Sequence, residues 1–203
     1  MFKDMFKTGL FLFTVAAICG SLLAFSESKT GVIIANNKLL AEQAAQKEVL
    51  PCDKYVEKEV VKNNQKAKFS IGFDNNNQVL GAIIKVAPTG FNGPISTMVG
   101  LDKNGKIIGY KILSLSETPG LGMKLKDSKF NDSLAKLIKE NPSPKFSVKK
   151  DGGDVDAITA ATISSRGFCS GLRQAQTEFQ TFKEEILTSE PTPETSATTG
   201  GNK

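Results

Sequence analysis

Read for the spacing of apolar and polar positions, the chain opens with a block that has no period at all. Thr8 to Phe25 (TGLFLFTVAAICGSLLAF) is eighteen residues without a charge, between Lys3 and Lys7 on one side and Glu27 and Lys29 on the other. As a helix it rises roughly 27 Å, near the hydrocarbon thickness of a bilayer, which predicts a membrane segment at 8–25 behind a cytoplasmic stretch at 1–7. The amino-terminal lysines favour an N-terminus inside and the remaining chain outside. A cleaved signal peptide is the alternative; the long apolar run and the lack of an A-x-A site after Phe25 weigh against it. Ile18 is bulkier than lipid attachment at Cys19 would want, so Cys19 reads as a membrane residue.

Downstream the period changes twice. Leu40, Ala44, Lys47 and Leu50 are helically spaced, predicting a helix that ends before Pro51, within a helical linker over 26–65. Period two follows: Phe69, Ile71 and Phe73 alternate, Asp74 to Asn77 turns, and Val79 to Ala87 returns. A second hairpin has Ile95, Thr97, Val99 and Leu101, a turn at Asp102 to Gly105, and Lys106 to Leu113. Neither turn has the alternating acidic ligands and closing Glu of a calcium loop, so both read as ordinary turns. Asp127 to Glu140 then places Phe130, Leu134, Leu137 and Ile138 on one helical face, and Lys145 to Lys149 reads as a short strand. Phe168, Leu172, Ala175, Phe179, Phe182 and Ile186 step by four and three, the stripe of one long helix. The pattern predicts an α+β fold: a single N-terminal transmembrane helix, then a domain over 66–187 of antiparallel hairpins packed with amphipathic helices. After Leu187, eleven of sixteen residues are Thr, Ser, Pro or Gly, which predicts a disordered tail over 188–203.

Composition removes whole classes of chemistry. The 203 residues contain no His and no Trp, so His-based triads, His-ligated zinc or haem and HExxH proteases are out. Cys19, Cys52 and Cys169 show no CxxC spacing, which argues against iron–sulfur and zinc frameworks and points to a borrowed cofactor. Cys52 and Cys169 are open to two readings, an extracytoplasmic disulfide or a buried small apolar role for Cys169. The net charge of +5 is spread along the chain, the mark of a solvated surface and not of a nucleic-acid partner. S-x-x-K occurs at Ser26, Ser133 and Ser147, but the accompanying SDN is missing and the one KTG lies at the anchor, so penicillin-binding-like hydrolysis is not supported.

Two loops carry the candidate chemistry. Glu117-Thr118-Pro119-Gly120-Leu121-Gly122 permits close backbone approach to a flat or anionic ligand, although a simple strand-to-helix turn accounts for it equally. Lys149 to Arg166 (KKDGGDVDAITAATISSR) crowds Thr159, Thr162, Ser164 and Ser165 just ahead of the last helix. Ser164 or Ser165 is a natural N-cap, which puts Thr162 just outside a helix N-terminus, where free amides favour a phosphate. A cap alone explains one hydroxyl, not four with two lysines before them.

Phe91-Asn92-Gly93-Pro94-Ile95, Gly100-Leu101-Asp102, ETPGLG at 117–122, VKKDGG at 148–153 and DAITAATISSR at 156–166 together strongly resemble the G subunit of the Rnf electron-transport complex. The likeness extends to the C subunit of the sodium-pumping NADH:quinone oxidoreductase. It covers residues 79–176 in detail and the anchor-plus-domain layout throughout. The resemblance implies an FMN-binding domain at 66–187 with FMN joined by a phosphoester to the last Thr of an S/T-G-A-T motif, here Thr162. Asp156 opens the flavinylation motif and is expected to serve transferase recognition or loop shape. The cofactor pocket is expected to draw on Glu117, Thr118, Gly120, Leu121, Gly122, Lys150, Thr159, Ala161, Ile163, Ser164 and Ser165. Ala160 replaces the usual Gly, which is expected to be tolerable only if its φ stays negative.

What the resemblance implies functionally is an electron-carrier subunit of an ion-translocating ferredoxin:NAD oxidoreductase in the inner membrane, its FMN domain on the periplasmic side. Partners are then the other membrane subunits, a separate FAD-dependent flavin transferase and membrane lipid. A Thr hydroxyl needs a base, and a chain without His must borrow its activation. The alternatives are a stand-alone or sodium-pump-type extracytoplasmic flavoprotein, and a non-catalytic anchored scaffold.

Overall fold

The computed structural model describes residues 2–62 and 65–190, in two compact units, Met1–Gln43 and Ala44–Lys203. Helix α1 runs Phe2–Val49, so the polar interval after Phe25 does not interrupt it. Two causes are visible: no proline occurs before Pro51, and Thr14, Ser21, Ser28 and Thr30 donate their hydroxyls to carbonyls three or four residues back, which hides these polar groups within the helix. In the first unit Phe11, Leu12, Phe13, Leu22 and Leu23 are exposed, and one stretch is long and apolar enough to cross a membrane.

The second unit is built on a five-stranded antiparallel sheet whose spatial order follows the sequence: β1 (Lys54–Lys62), β2 (Gln65–Phe73), β3 (Val79–Val86), β4 (Ile95–Asp102) and β5 (Ile107–Leu115). The two expected hairpins are β2–β3 and β4–β5. Strand β1 corrects the expected helical linker over 26–65, whose later part is sheet. It is an edge strand: Glu57 and Glu59 pair with Lys68 and Lys66 of β2 at 2.6 and 3.9 Å, and of its residues Val60 alone is buried. Charge on an edge blocks further pairing and erases the apolar period by which a strand is read.

Alternation assigns the sheet faces. Phe69, Ile71, Phe73, Ala82, Ile84, Val86, Ile95, Val99 and Leu101 join the main core, while Ile83 and Met98 pack with Ala45, Val49 and Leu50 at the end of α1. Gly100 and Gly109, partners across β4 and β5, leave room for the Val49 carbonyl, which a Cβ at either position would strike.

Over the main core lie α2 (Ser128–Glu140), α3 (Thr162–Thr181) and α4 (Lys183–Leu187). Phe168 of α3 is the hub, with the rings of Tyr110 and Phe130 5.3 and 5.7 Å away, edge to face. The expected single last helix is broken at Phe182 (φ −109°, ψ 17°), yet its predicted stripe is buried throughout. Lys62 Nζ donates to the freed Thr181 carbonyl at 3.0 Å, a partner that makes the break tolerable. Lys145 to Lys149 is not a strand: one parallel bridge joins Val148 to Val155, followed by a 3-10 turn at Lys149–Asp151. The tail expectation is corrected at its start, where Ser189 is buried and accepts from Lys58 Nζ at 2.9 Å; residues 191–203 lie outside the described residues.

Candidate functional site

Glu117 follows the end of β5 and is 4% exposed. Its Oε1 accepts the backbone N–H groups of Phe91 (2.9 Å) and Asn92 (3.2 Å), and its Oε2 accepts the Ser164 hydroxyl at 2.7 Å. A buried carboxylate is tolerated when its lone pairs are filled in this way. Gly90 and Gly122 are small because the same carboxylate occupies the space a Cβ would need. One side chain thus fastens the 90–93 loop, the 117–122 loop and the first turn of α3 together.

Ser165, fully buried, fastens the other side. It accepts the Ile158 N–H and donates to the Ala161 carbonyl, each at 3.0 Å. Adjacent serines therefore clamp the start of α3 in two directions, and neither is the N-cap; that position is Ala161, and Thr162 opens the helix. The first helical bond runs from Ser165 N–H to Ala161 O, leaving the amides of Thr162, Ile163 and Ser164 ahead of it. Ala160 stands at φ +62°, against the expectation of a negative φ. The turn needs a left-handed residue there, which glycine supplies freely and alanine adopts at a cost of about 1–2 kcal/mol.

Between these clamps lies a cavity of about 300 Å³ lined by Phe91, Glu117, Thr118, Leu121, Gly122, Ala160, Ala161, Thr162, Ile163 and Ser164. Thr162 is half-buried in it, whereas the side chains of Phe91 and Ile163 are 66% and 53% exposed. Of the sequence candidates, Glu117, Thr118, Leu121, Gly122, Ala161, Thr162, Ile163 and Ser164 meet here. Gly120 turns the loop at φ +74° without lining it, and Ser165 acts from behind. Lys150 is exposed in the 3-10 turn. Thr159 and Asp156 instead line a separate cavity of about 400 Å³ against α2, and Asp156 pairs with Lys149 at 2.8 Å. Phe91 is not among the sequence candidates for the pocket, because its ring joins the site from 26 residues upstream of Glu117, through a backbone contact that leaves no spacing signal.

Behind α3, Asp151 receives two bonds from Arg166, each 2.7 Å, which hold its carboxyl below the usual range. Cys52 and Cys169 are free thiols; burial is the main cause that pushes Cys169 up to about 11, and it takes the buried apolar role.

The residues at the cavity suit a flavin ester. A helix-opening hydroxyl with three leading amides suits a phosphate, and the Phe91, Leu121, Ala161 and Ile163 lining suits a flat ring. Residues 90–177 match a family model described as an FMN-binding domain. The chain is 30% identical over 202 residues to the G subunit of the ion-translocating oxidoreductase complex of Shewanella piezotolerans, covering 92% of this chain and 95% of that protein. It is 29% identical over 192 residues to the G subunit of the Na(+)-translocating ferredoxin:NAD(+) oxidoreductase complex of Acetobacterium woodii, covering 88% and 93%. The crystal structure of Shewanella oneidensis NqrC aligns with a TM-score of 0.47 and 22% identity over 61% of this chain and 62% of that one.

Proposed function

We propose, from the premise that this chain belongs to the family of G subunits of ion-translocating oxidoreductase complexes, that it is an electron-carrier subunit whose FMN is joined by a phosphoester to Thr162. The observation that carries this reading is Thr162 itself, a half-buried hydroxyl at the first position of a 20-residue helix, opening onto an apolar cavity. A bound FMN supplies electron transfer in one- or two-electron steps, and the protein places and tunes it.

The chain's own residues supply the seat. Thr162 Oγ1 forms the ester bond; the P–O–P bond of FAD breaks, AMP leaves, and the hydroxyl proton passes to a base of the flavin transferase. Any magnesium ion belongs to that transferase. The amides of Thr162, Ile163 and Ser164, ahead of the first helical bond, would hold the phosphate with the positive end of the helix dipole. Leu121, Ala161 and Ile163, which line the cavity, would exclude water from the ring. Glu117 has both oxygens engaged, so it shapes the pocket more than it contacts the ligand. Asp156, on the surface beside the acceptor loop, is accessible to the transferase.

A covalent cofactor cannot diffuse away, which suits a domain outside the cytoplasm. Lys3 and Lys7 before the apolar run support an inner-membrane anchor with the N-terminus inside and the FMN domain on the periplasmic side. The partners in this reading are the integral membrane subunits, including a second flavin-bearing one, in a complex passing electrons between ferredoxin and NAD while an ion crosses the bilayer. Co-expression with a flavin transferase followed by intact-mass analysis tests the attachment. Wild type gains the mass of FMN less water, and peptide mapping finds it on Thr162. An unmodified chain beside an active transferase overturns the covalent reading.

A further inference from the structure

We infer that Phe91 is the aromatic wall of the flavin site, held opposite Thr162 by Glu117, which acts as a positioning residue. This rests on the proposed function and assigns a contact outside the 117–122 and 149–166 loops. Three observations meet. Phe91 lines the same cavity as Thr162 and Ile163, so the ring and the acceptor face one volume. Its side chain is 66% exposed, while its backbone is fixed: the N–H donates to a buried carboxylate at 2.9 Å, and the flanking Asn92 is tied twice, through its N–H to Glu117 and through Nδ2 to Ser116 O at 2.8 Å. A large apolar ring left in water on a rigid backbone gains its burial only when something flat covers it. The third observation is the connection: the carboxylate holding Phe91 also holds Ser164, two residues after the acceptor, at 2.7 Å. The separation of wall and acceptor is therefore set by one buried side chain with all its contacts inside the protein.

Composition makes the test clean, because the chain has no Trp. An indole in van der Waals contact with an excited flavin donates an electron and receives it back, abolishing emission; an indole elsewhere does not. The holoprotein, made with the transferase, is compared as wild type, Phe91→Trp and Phe91→Ala after intact mass has established loading. Phe91→Trp is expected to lose flavin fluorescence at least fivefold. Phe91→Ala is expected to keep emission and to raise its susceptibility to iodide at least twofold. For the positioning role, Glu117→Ala is added to Phe91→Trp and should restore at least half of the lost emission. Glu117→Gln in the same background, which keeps an acceptor for Phe91 and a partner for Ser164, should leave the quenching in place, with far-UV circular dichroism showing both variants folded. If Glu117→Ala does not fold, quenching that is lost in Glu117→Gln overturns the positioning role. A loaded Phe91→Trp protein that emits like wild type overturns the inference alone. Absence of loading in wild type overturns the proposed function and takes this inference with it.

Discussion

The two walls of the cavity are built by opposite rules. On one wall Glu117 is buried and its carboxylate is filled by two backbone amides and a hydroxyl, so removal of any partner leaves a buried charge short of a bond. On the other, Ala160 to Ile163 are partly or fully exposed except Ala161, one of them sits in a left-handed conformation, and the amides of the first helical turn have no partner within the helix. The first wall commits its polar groups to fixing distance. The second keeps its polar groups free for a ligand. A site divided in this way can hold position while leaving its reactive hydroxyl uncommitted.

The sharpest way to break the comparison is Thr162→Ala. It is expected to abolish covalent FMN completely while shifting the unfolding free energy by less than about 0.5 kcal/mol, since the residue is only half-buried; mass and denaturant titration read the two effects. Glu117→Ala should do the reverse in stability, costing about 3–5 kcal/mol because two amides and a hydroxyl lose their buried acceptor. Equal costs for the two substitutions would erase the distinction between the walls.

In the core below the first turn of α3, burial pushes the Cys169 thiol from its ordinary value of 9 up to about 11. A raised folded value means the native state holds its proton more tightly, so this contribution is complete below about pH 9 and is lost as pH rises toward 11. Urea unfolding at pH 8 and pH 11 should show a loss on the order of 2 kcal/mol attributable to this residue, and Cys169→Ala should remove that part of the slope. The smallest effect belongs to the open wall: Ala160→Gly relieves the left-handed strain but gains freedom in the unfolded chain, for a net stabilisation of about 0.5–1 kcal/mol by thermal melt.

What the chain's pattern discloses follows the same division. Phe69, Ile71 and Phe73, or the stripe from Phe168 to Ile186, announce themselves because burial imposes a local period. Strand β1 does not, because its charges answer to Lys66 and Lys68 across the sheet and not to a core. At the site, the loops of 117–122 and 156–166 are legible as motifs, whereas the roles of Ser164 and Ser165 are not: sequence offers two equivalent hydroxyls before a helix, and only the tertiary fold sends one to Glu117 and the other back to Ile158 and Ala161. The break at Phe182 is hidden for a related reason, since the partner that permits it, Lys62, lies 119 residues away from Thr181.

Ala160 has one more consequence, at the level of the gene. Every alanine codon becomes a glycine codon by changing its second base, so the relaxed residue is a single mutation away. Access is no barrier to relieving the strain beside the acceptor, and one base is enough to set how stiffly the turn presents Thr162.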